Sequence, residues 1–309
     1  KCNVHAFCVA LLSEAEKIRK HRINTEILHL GSIEYTFNPI LMDKNLSLTI
    51  NHRDDILFLE KIGKMKKHKF KVHLKIDTGM GRLGVSIEEI KEIKDLLKKS
   101  KFIILEGIFS HLSSSEKDDA YTDIQRKKFI DASDYLMPFF TTIKYQHLAN
   151  SAGLLKNKKN HFNTVRPGIS VYGVNNTNKK HNLKPVMRVE APVCLIKNIK
   201  KDETIGYDRT YKAKSNMKVA FVQIGYADAV PLNFSNKGYV EYKGKKISIL
   251  GKVSMDLICI SVDGININKS DKVIIYGGKL TKVELVSQNS NTVYTLLTGI
   301  SPRVKRIYN

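Results

Sequence analysis

Up to about residue 175, short apolar segments alternate with charged segments of helical length, and this alternation restricts the fold more than any other feature. The apolar segments are nearly continuous hydrophobic runs, which predicts strands buried on both faces. Strands that alternate with helices form parallel sheets, and a closed barrel of this kind has eight strands. We count seven, in residues 6–11, 26–31, 46–51, 71–77, 105–112, 144–151 and 164–174, with helices in 13–20, 54–67, 87–99 and 121–138. The sequence therefore predicts an α/β fold, a (β/α)8 barrel that is missing its first strand.

From about residue 184 the pattern changes to strands and hairpins with little helix between them. This pattern predicts a separate, mostly antiparallel β domain. One helix is expected near 291–298, and a last strand in RVKRIYN at 303–309. With a boundary in the polar NNTNKKHN (175–182), we expect the incomplete barrel in residues 1–178 and the β domain in 179–309.

Composition argues against several classes of function. The net charge of +22 would suit a nucleic-acid binder, but the lysines are scattered and form no cluster with arginines or interleaved aromatic residues. No apolar run approaches the roughly 18 residues of a membrane span. The four cysteines show neither pairing nor metal-ligand spacing, so we expect no metal site and a cytoplasmic protein.

The segment HLKIDTGMGRLG (73–84) predicts an anion-binding turn. A strand runs directly into a turn that contains Gly79, Gly81 and Gly84, and glycines allow the backbone to approach a ligand closely. Lys75 and Arg82 flank the turn with positive charge. The alternative is an ordinary strand-to-helix loop with a solvated arginine.

Other polar residues follow the predicted strands at their C-terminal ends, where barrel enzymes carry their active sites. His111 ends one strand and Ser151 ends the next, while Arg166, Gly168 and Ile169 lie in the last. A hydroxyl and backbone N–H groups could hold a phosphate. Together they predict a phosphorylated cofactor, although His111 alone could equally be a structural histidine.

The order of the motifs closely resembles the alanine racemase family over essentially the whole chain. The matching segments are HLKIDTGMGRLG (73–84), GIFSHLSSSE (107–116), HLANSAG (147–153), VRPGISVYG (165–173), IGYDRTY (205–211), IGYADAVP (224–231), GKVSMD (251–256) and SPRVKRIY (301–308). The resemblance implies a pyridoxal 5'-phosphate enzyme, with a barrel, a C-terminal β domain and a head-to-tail homodimer that shares its active sites. It also implies interconversion of L- and D-alanine by two-base proton transfer, which supplies D-alanine for peptidoglycan.

The resemblance assigns roles to the cofactor-binding residues. Arg166 would face the pyridine nitrogen of the cofactor and take part in catalysis. Arg82 would contact the cofactor and the substrate carboxylate, and Ser151, Gly168 and Ile169 would hold the phosphate. Lys75 matches the lysine that family members carbamylate, the alternative being an unmodified lysine paired with a carboxylate.

The resemblance also assigns the residues of the proton transfer. Tyr207 would be the base that serves L-alanine, reaching into the barrel of the partner subunit, and hydrogen bonding to His111 would favour its phenolate form. Met255 would donate its backbone N–H to the substrate carboxylate, and Asp256 would support that loop. Tyr226 would line the entrance.

The sequence departs from the family pattern in two places. The cofactor-binding lysine of the family lies in a VKANAYG-like segment, and these 309 residues contain none, so we expect the chain alone to be inactive. Pro302 stands where many members have a tyrosine that touches the phosphate. Two alternatives therefore stay open: a non-catalytic pyridoxal-phosphate-binding relative, and a racemase of another small amino acid such as serine.

Overall fold

The computed structural model describes residues 4–282 and 293–308, and the chain separates into two compact units. The first unit extends to Gly168 and includes Thr177–His181. The second comprises Ile169–Asn176 and the chain from Asn182 onward.

The first unit is a parallel half-barrel sheet with helices between its strands. Within the described residues the sheet has six strands in sequential order. The strands are β1 (Ala6–Val9), β2 (Glu26–His29), β3 (Leu46–Ile50), β4 (Phe70–Lys75), β5 (Ile103–Phe109) and β6 (Tyr145–His147). The helices are α1 (Leu12–Lys20), α2 (Arg53–Lys66), α3 (Ile90–Lys99), α4 (Asp119–Leu136) and α5 (Ser151–Lys156). The predicted β-then-α order is confirmed for these elements.

Strand β4 separates an apolar face from a polar one. Val72 and Leu74 belong to the same buried core as Leu59 of α2 and Phe129 of α4. Because side chains alternate across a strand, His73 and Lys75 lie on the opposite face of the sheet. Both are buried there, so the sheet holds ionisable groups on the face that the helices do not cover.

Helix α5 begins at Ser151, shortly after the end of β6 at His147. The side chain of Asn150 accepts a hydrogen bond from the N–H of Gly153 at 3.0 Å and caps the helix. Ser151 is therefore the first helical residue after the cap. In residues 4–282 and 293–308, no helix has both the length and the apolar character to cross a bilayer.

The seventh predicted strand, 164–174, is wrong as a strand. It forms one isolated bridge, between Thr164 and His147, and then a short 3-10 helix at Ile169–Tyr172. The backbone N–H of Arg166 donates to Ala149 at 3.0 Å, and Pro167 has no N–H with which to continue a ladder.

The second unit contains a closed, antiparallel barrel of six strands and a separate hairpin. The barrel strands are β7 (Val189–Ile199), β10 (Met217–Val222), β11 (Tyr239–Tyr242), β12 (Lys245–Leu250), β13 (Ile258–Ser261) and β14 (Lys272–Tyr276), and the hairpin strands are β8 (Thr204–Ile205) and β9 (Tyr211–Lys212). Val189, Ala191 and Val193 alternate with more exposed residues along β7 and face the barrel core. The predicted antiparallel β domain is confirmed.

The end of the second unit differs in part from expectation. Helix α6 spans Val293–Thr298, while 291–292 of the predicted helix lie outside the described residues. The predicted last strand is wrong for 303–308, which form no strand. The Arg306 side chain donates to the carbonyls of Ile300, Ser301 and Val304, so this segment folds back on itself. Asn309 is outside the described residues.

Candidate functional site

A single carboxylate organises the glycine turn, defined as residues 77–84. Asp77 accepts hydrogen bonds from the N–H groups of Gly79, Met80 and Gly81 at 2.8–3.2 Å. Burial alone would raise the pKa of Asp77, but these donors together with the N–H of Arg82 outweigh it and lower the pKa. The sequence reasoning missed Asp77, although its position before two glycines is typical of such turns.

The glycines of this turn cannot be replaced without strain. Gly79 has φ +129° and Gly81 has φ +66°, both in the region that favours glycine. A Cβ at Gly79 would lie 2.4 Å from the hydroxyl of Tyr121, which itself donates to the Gly79 carbonyl at 3.0 Å. The turn therefore requires its glycines, and Arg82 is exposed at its end.

Three cations approach each other beyond the end of β4. Burial, followed by the charges of Arg82 and Arg166, lowers the pKa of Lys75 to about 8, and the charge of Asp77 opposes this shift. The Lys75 ammonium group forms no ion pair within the described part of the chain, so the alternative of a carboxylate partner has no support there. Because Asp77 is committed to the turn, this cluster has an excess of positive charge, as the predicted anion site requires.

Arg166 is the hub of this cluster. Its Nη1 donates to Nδ1 of His147 at 2.5 Å and to the His147 carbonyl at 3.0 Å. Its Nη2 donates to the carbonyls of Ser110 at 2.7 Å and Leu148 at 3.2 Å. Burial lowers the pKa of Arg166 to about 10, so the guanidinium remains charged at neutral pH. These hydrogen bonds fix the orientation of the planar guanidinium group, and no carboxylate takes part in them.

Two buried histidines stand behind Arg166. Because Arg166 donates to Nδ1 of His147, the neutral ring carries its hydrogen on Nε2 and donates it to Nδ1 of His73 at 2.8 Å. A Cβ at Gly107 would lie 2.4 Å from Nδ1 of His73, so only glycine leaves room for this ring. Burial and then the charge of Arg166 lower the pKa of His73 to about 3, and the same causes keep the pKa of His147 well below its ordinary value. Both rings are therefore neutral.

Sequence reasoning assigned no role to His73 or His147. The sequence did contain one indication that His73 belongs to the site: His73 and Lys75 are two residues apart, which puts both side chains on one face of β4. His147 occupies the last position of β6, where strand-end residues were already expected.

The structure brings His111, one of the strand-end residues, close to Arg166. Nη2 of Arg166 lies 3.5 Å from Nδ1 of His111. Burial, followed by the charges of Arg166, Arg82 and Lys75, lowers the pKa of His111 to about 4. With Nδ1 facing a donor, the neutral ring presents an N–H at Nε2, which suits an oxyanion acceptor.

Ser151 and Gly168 also meet. The N–H of Gly168 donates to Oγ of Ser151 at 2.9 Å, which joins the start of α5 to the segment after Arg166. A Cβ at Gly168 would meet no atom within 4 Å, so there is open space beside this backbone. Ile169 is buried and begins the 3-10 helix assigned to the second unit.

In the second unit, Tyr207 lies at the tip of the β8–β9 hairpin. Gly206, Asp208 and Arg209 all have positive φ, a concentration of strained backbone that is typical of functional sites. Lys252 forms an ion pair with Asp208 and holds the tip against the segment that follows β12. The side chain of Tyr207 is 69% exposed.

Met255 and Tyr226 lie on two loops that pair with each other. The N–H of Tyr226 donates to Ser254 at 3.0 Å, and that of Ala227 donates to Met255 at 3.1 Å. A Cβ at Gly225 would lie 2.2 Å from the Ser254 carbonyl, so glycine permits this approach. Tyr226 and Met255 are both exposed, as is Pro302. The predicted residues Tyr207, Tyr226 and Met255 thus share one region of the second unit through residues 251–256.

Comparison with known proteins matches both units to one family. The model of "Alanine racemase, N-terminal domain" matches residues 1–176, and that of "Alanine racemase, C-terminal domain" matches 186–308. The alanine racemase of Carboxydothermus hydrogenoformans is 33% identical over 98% of this chain and 84% of its own length.

Solved structures agree with the sequence comparison. The alanine racemase of Clostridium difficile 630 has a TM-score of 0.91 at 29% identity, covering 99% of this chain and 82% of its own. That of Bartonella henselae, solved with covalently bound pyridoxal phosphate, has a TM-score of 0.89 at 28% identity, covering 99% and 86%. Because the matches span both units and include the loops that carry Arg82, Arg166, Tyr207 and Met255, the chain belongs to the alanine racemase family.

Proposed function

We propose that the protein interconverts L- and D-alanine with pyridoxal 5'-phosphate as cofactor. The observation that carries the proposal is the cluster of Lys75, Arg82 and Arg166, whose positive charge is not matched by free carboxylates. Membership of the alanine racemase family supports racemisation of alanine as the reaction. The pyridoxal phosphate bound covalently to the Bartonella henselae relative supports the choice of cofactor. D-alanine made in this way would supply peptidoglycan.

The residues present fit a phosphorylated pyridine. Ser151 and Gly168 lie beside open space that a phosphate group could enter, and the cationic cluster favours the anion. The four Nη hydrogens of Arg166 are taken by carbonyls and by His147, which leaves its Nε–H to donate to a ring nitrogen. Pyridoxal phosphate, when bound, withdraws electrons from the α-carbon and makes its proton acidic.

Arg166, Arg82, Ser151 and Gly168 orient that group in our proposal. Arg166 stays charged, so it donates to the ring nitrogen without releasing a proton to it. Arg82 is exposed at the end of a fixed turn and binds the substrate carboxylate. Ser151 donates its hydroxyl hydrogen to the phosphate, and the N–H of Gly168 exchanges its bond to Oγ of Ser151 for one to the phosphate. Ile169, the next residue along the chain, remains a predicted third donor.

Lys75 is proposed to be carbamylated. With a pKa of about 8, roughly a tenth of its amine is neutral at pH 7, far more than for an ordinary lysine. The neutral nitrogen attacks carbon dioxide, the N–C bond forms as one C=O π bond opens, and the proton leaves to solvent. The product is an anion between Arg82 and Arg166, which offsets their repulsion.

Labelled carbon dioxide tests this modification. Protein equilibrated with ¹³C-bicarbonate at pH 8 is expected to show one carbamate ¹³C resonance that Lys75→Ala abolishes. Lys71 lies on the same strand and pairs with Glu26, so Lys71→Ala is the matched control and should keep the resonance. Absence of the resonance in the parent protein would refute the proposal.

The proton transfer is assigned to Tyr207, which removes the α-proton of L-alanine. The neutral ring of His111 offers its Nε2–H to the phenolate. Met255 donates its N–H to the substrate carboxylate, Asp256 supports that loop, and Tyr226 lines the entrance. Tyr207 is exposed in one copy, which supports a homodimer in which it serves the site of the second copy.

Cys8, Cys194 and Cys259 are free thiols, which supports our assignment to the cytoplasm.

Racemisation by the purified full-length protein tests the function. With pyridoxal phosphate, L-alanine should convert to an equal mixture of enantiomers, detected by chiral chromatography, with sedimentation at twice the mass of one chain. We expect kcat/KM for L-alanine to exceed that for L-serine by about tenfold or more. Cofactor binding without turnover would support the non-catalytic relative, and preference for serine would contradict alanine as the substrate.

A further inference from the structure

Arg303 connects two loops of the second unit through one guanidinium group. Its Nε donates to Oδ1 of Asp228 at 2.6 Å, and its Nη2 donates to Oδ2 of the same carboxylate at 2.9 Å. The same Nη2 also donates to Oδ1 of Asp256 at 2.7 Å. This fork holds one carboxylate with two bonds and a second carboxylate with a third.

The two carboxylates belong to the loops that carry Tyr226 and Met255. Asp228 closes the turn Tyr226–Asp228, where its Oδ2 also accepts the N–H of Gly225 at 3.2 Å. Asp256 follows Met255 directly, and Arg303 is its hydrogen-bond partner within the described residues. Removing Arg303 therefore leaves Asp256, the residue next to Met255, without its side-chain partner in that part of the chain, while the N–H of Val253 still donates to Ser235 at 3.0 Å.

The backbone of Met255 is the group that this tether orients. The carbonyl of Met255 is fixed by the N–H of Ala227, on the loop that Arg303 also holds through Asp228. The N–H of Met255 donates to no other group in residues 4–282 and 293–308, and it lies on an exposed loop. It is thus a donor held ready for a ligand. Its direction is set by the peptide that Met255 shares with Ser254, whose carbonyl accepts the N–H of Tyr226 at 3.0 Å on the loop that Arg303 holds through Asp228.

An ordinary surface ion pair would not orient the backbone of a neighbouring loop. Exposed pairs contribute little to stability because two flexible side chains must be ordered for each bond. Here Arg303 makes three bonds to two loops whose backbones are already paired, and the Asp228 side chain is only 12% exposed. The guanidinium therefore transmits its fixed orientation to the loops and not only its charge.

We propose that Arg303 is a positioning residue that aims the backbone N–H of Met255 and thereby sets the affinity of the enzyme for the substrate carboxylate. The proposal rests on the proposed function, because it needs Met255 to bind that carboxylate. It predicts a specific kinetic pattern: the N–H contacts the carboxylate in the ground state and in the transition state alike, so its loss raises KM and leaves kcat nearly unchanged.

Two substitutions in the full-length protein separate orientation from charge. Arg303→Gln should raise KM for L- and D-alanine about tenfold, the cost of one hydrogen bond to a charged group, with kcat within about threefold of the parent. The inhibition constant of propionate, a carboxylate without the amine, should rise by the same factor. Arg303→Lys keeps the positive charge but cannot bind both carboxylates in the same geometry. Its KM should therefore lie closer, on a logarithmic scale, to that of Arg303→Gln than to that of the parent. Arg188→Gln, which breaks the exposed Arg188–Glu190 pair in the same unit, is the matched control and should change neither constant.

A spectroscopic measurement keeps this inference separate from the proposed function. In ¹⁵N-methionine-labelled protein, Arg303→Gln should shift the amide resonance of Met255 and leave the other methionines in place. A Met255 resonance that does not move would overturn the inference, as would a fall in kcat at constant KM. If the parent protein is inactive, the proposed function fails, and a shifted Met255 resonance still shows that Arg303 orients this amide.

Discussion

Replacement of Arg166 by methionine is expected to lower kcat by about a hundredfold or more, the usual cost of removing a preorganised donor from an active site. The side chain of methionine fills similar space without donors, so the carbonyls of Ser110, Leu148 and His147 lose their bonds. Each such loss costs about 1 kcal/mol, and relief from burying a cation offsets part of the sum. We therefore expect the free energy of unfolding to fall by about 2 kcal/mol, measured by urea denaturation.

Arg126→Met provides the control for a merely structural effect. Arg126 is also partly buried in the first unit, where it donates to Asn160 and pairs with Asp123 on α4. We expect its substitution to lower stability modestly and to leave kcat within about threefold. If kcat of Arg166→Met also stays within about threefold of the parent, Arg166 has only a structural role and the proposed catalytic role is wrong.

Acid unfolding gives an independent readout of the same substitution. The pKa of His111 is about 4 and that of His73 about 3 in the folded protein, both below the ordinary 6.5. The unfolded chain thus binds more protons below pH 6.5, and stability falls as pH drops, by up to about 1.4 kcal/mol per pH unit for each histidine. Because the charge of Arg166 contributes to both shifts, Arg166→Met should raise both pKa values and reduce the total loss of stability between pH 6.5 and pH 3. An unchanged total loss would contradict the geometry around Arg166.

The fold and about half of the site could be predicted because their determinants are local in sequence. Strand-helix alternation gave the parallel half-barrel, and the rule that barrel sites lie at strand ends pointed to His111 and Arg166. Tyr207 could not be found this way. An exposed tyrosine in a hairpin is chemically ordinary until a family resemblance singles it out, because its role depends on what its hydroxyl meets in space.

The errors share a physical cause. Residues 164–174 have the β-branched composition of a strand, but the N–H of Arg166 bonds to Ala149 and Pro167 interrupts the ladder. Arg303 was overlooked because its partners are 75 and 47 residues away in the chain. No local pattern encodes a bond between such distant residues, so contacts of this kind need the structure.

Tyr207→Phe should abolish exchange of the α-hydrogen of L-alanine with solvent while exchange from D-alanine continues. The substitution keeps the ring and removes only the oxygen that takes the proton, and loss of a general base costs about 10²–10⁴-fold. A second base on the opposite face still removes and returns the proton of D-alanine. Proton NMR in D₂O measures both exchange rates separately.

Exchange is the decisive measurement because steady-state rates cannot discriminate between the bases. Enantiomers have equal free energies in water, so the equilibrium constant is unity and kcat/KM must be the same in both directions for every variant. Tyr226→Phe is the matched control, since Tyr226 is also an exposed tyrosine of the second unit. It should leave both exchange rates within about threefold, as for a residue that does not move the proton. Equal loss of exchange from both enantiomers in Tyr207→Phe would refute the two-base assignment.

Mixing two inactive variants then tests which copy Tyr207 serves. If Tyr207 acts in the site of the second copy, a hybrid of Tyr207→Phe and Arg166→Met chains has one site with both lesions and one site with neither. After dissociation and random reassociation, half of the dimers are hybrids with one intact site each, so about a quarter of the parental activity should return. If Tyr207 serves its own chain, every hybrid site carries one lesion and no activity returns. The exposure of Tyr207 leads us to expect the first result, because a catalytic phenol needs a covered site that one copy does not provide around it.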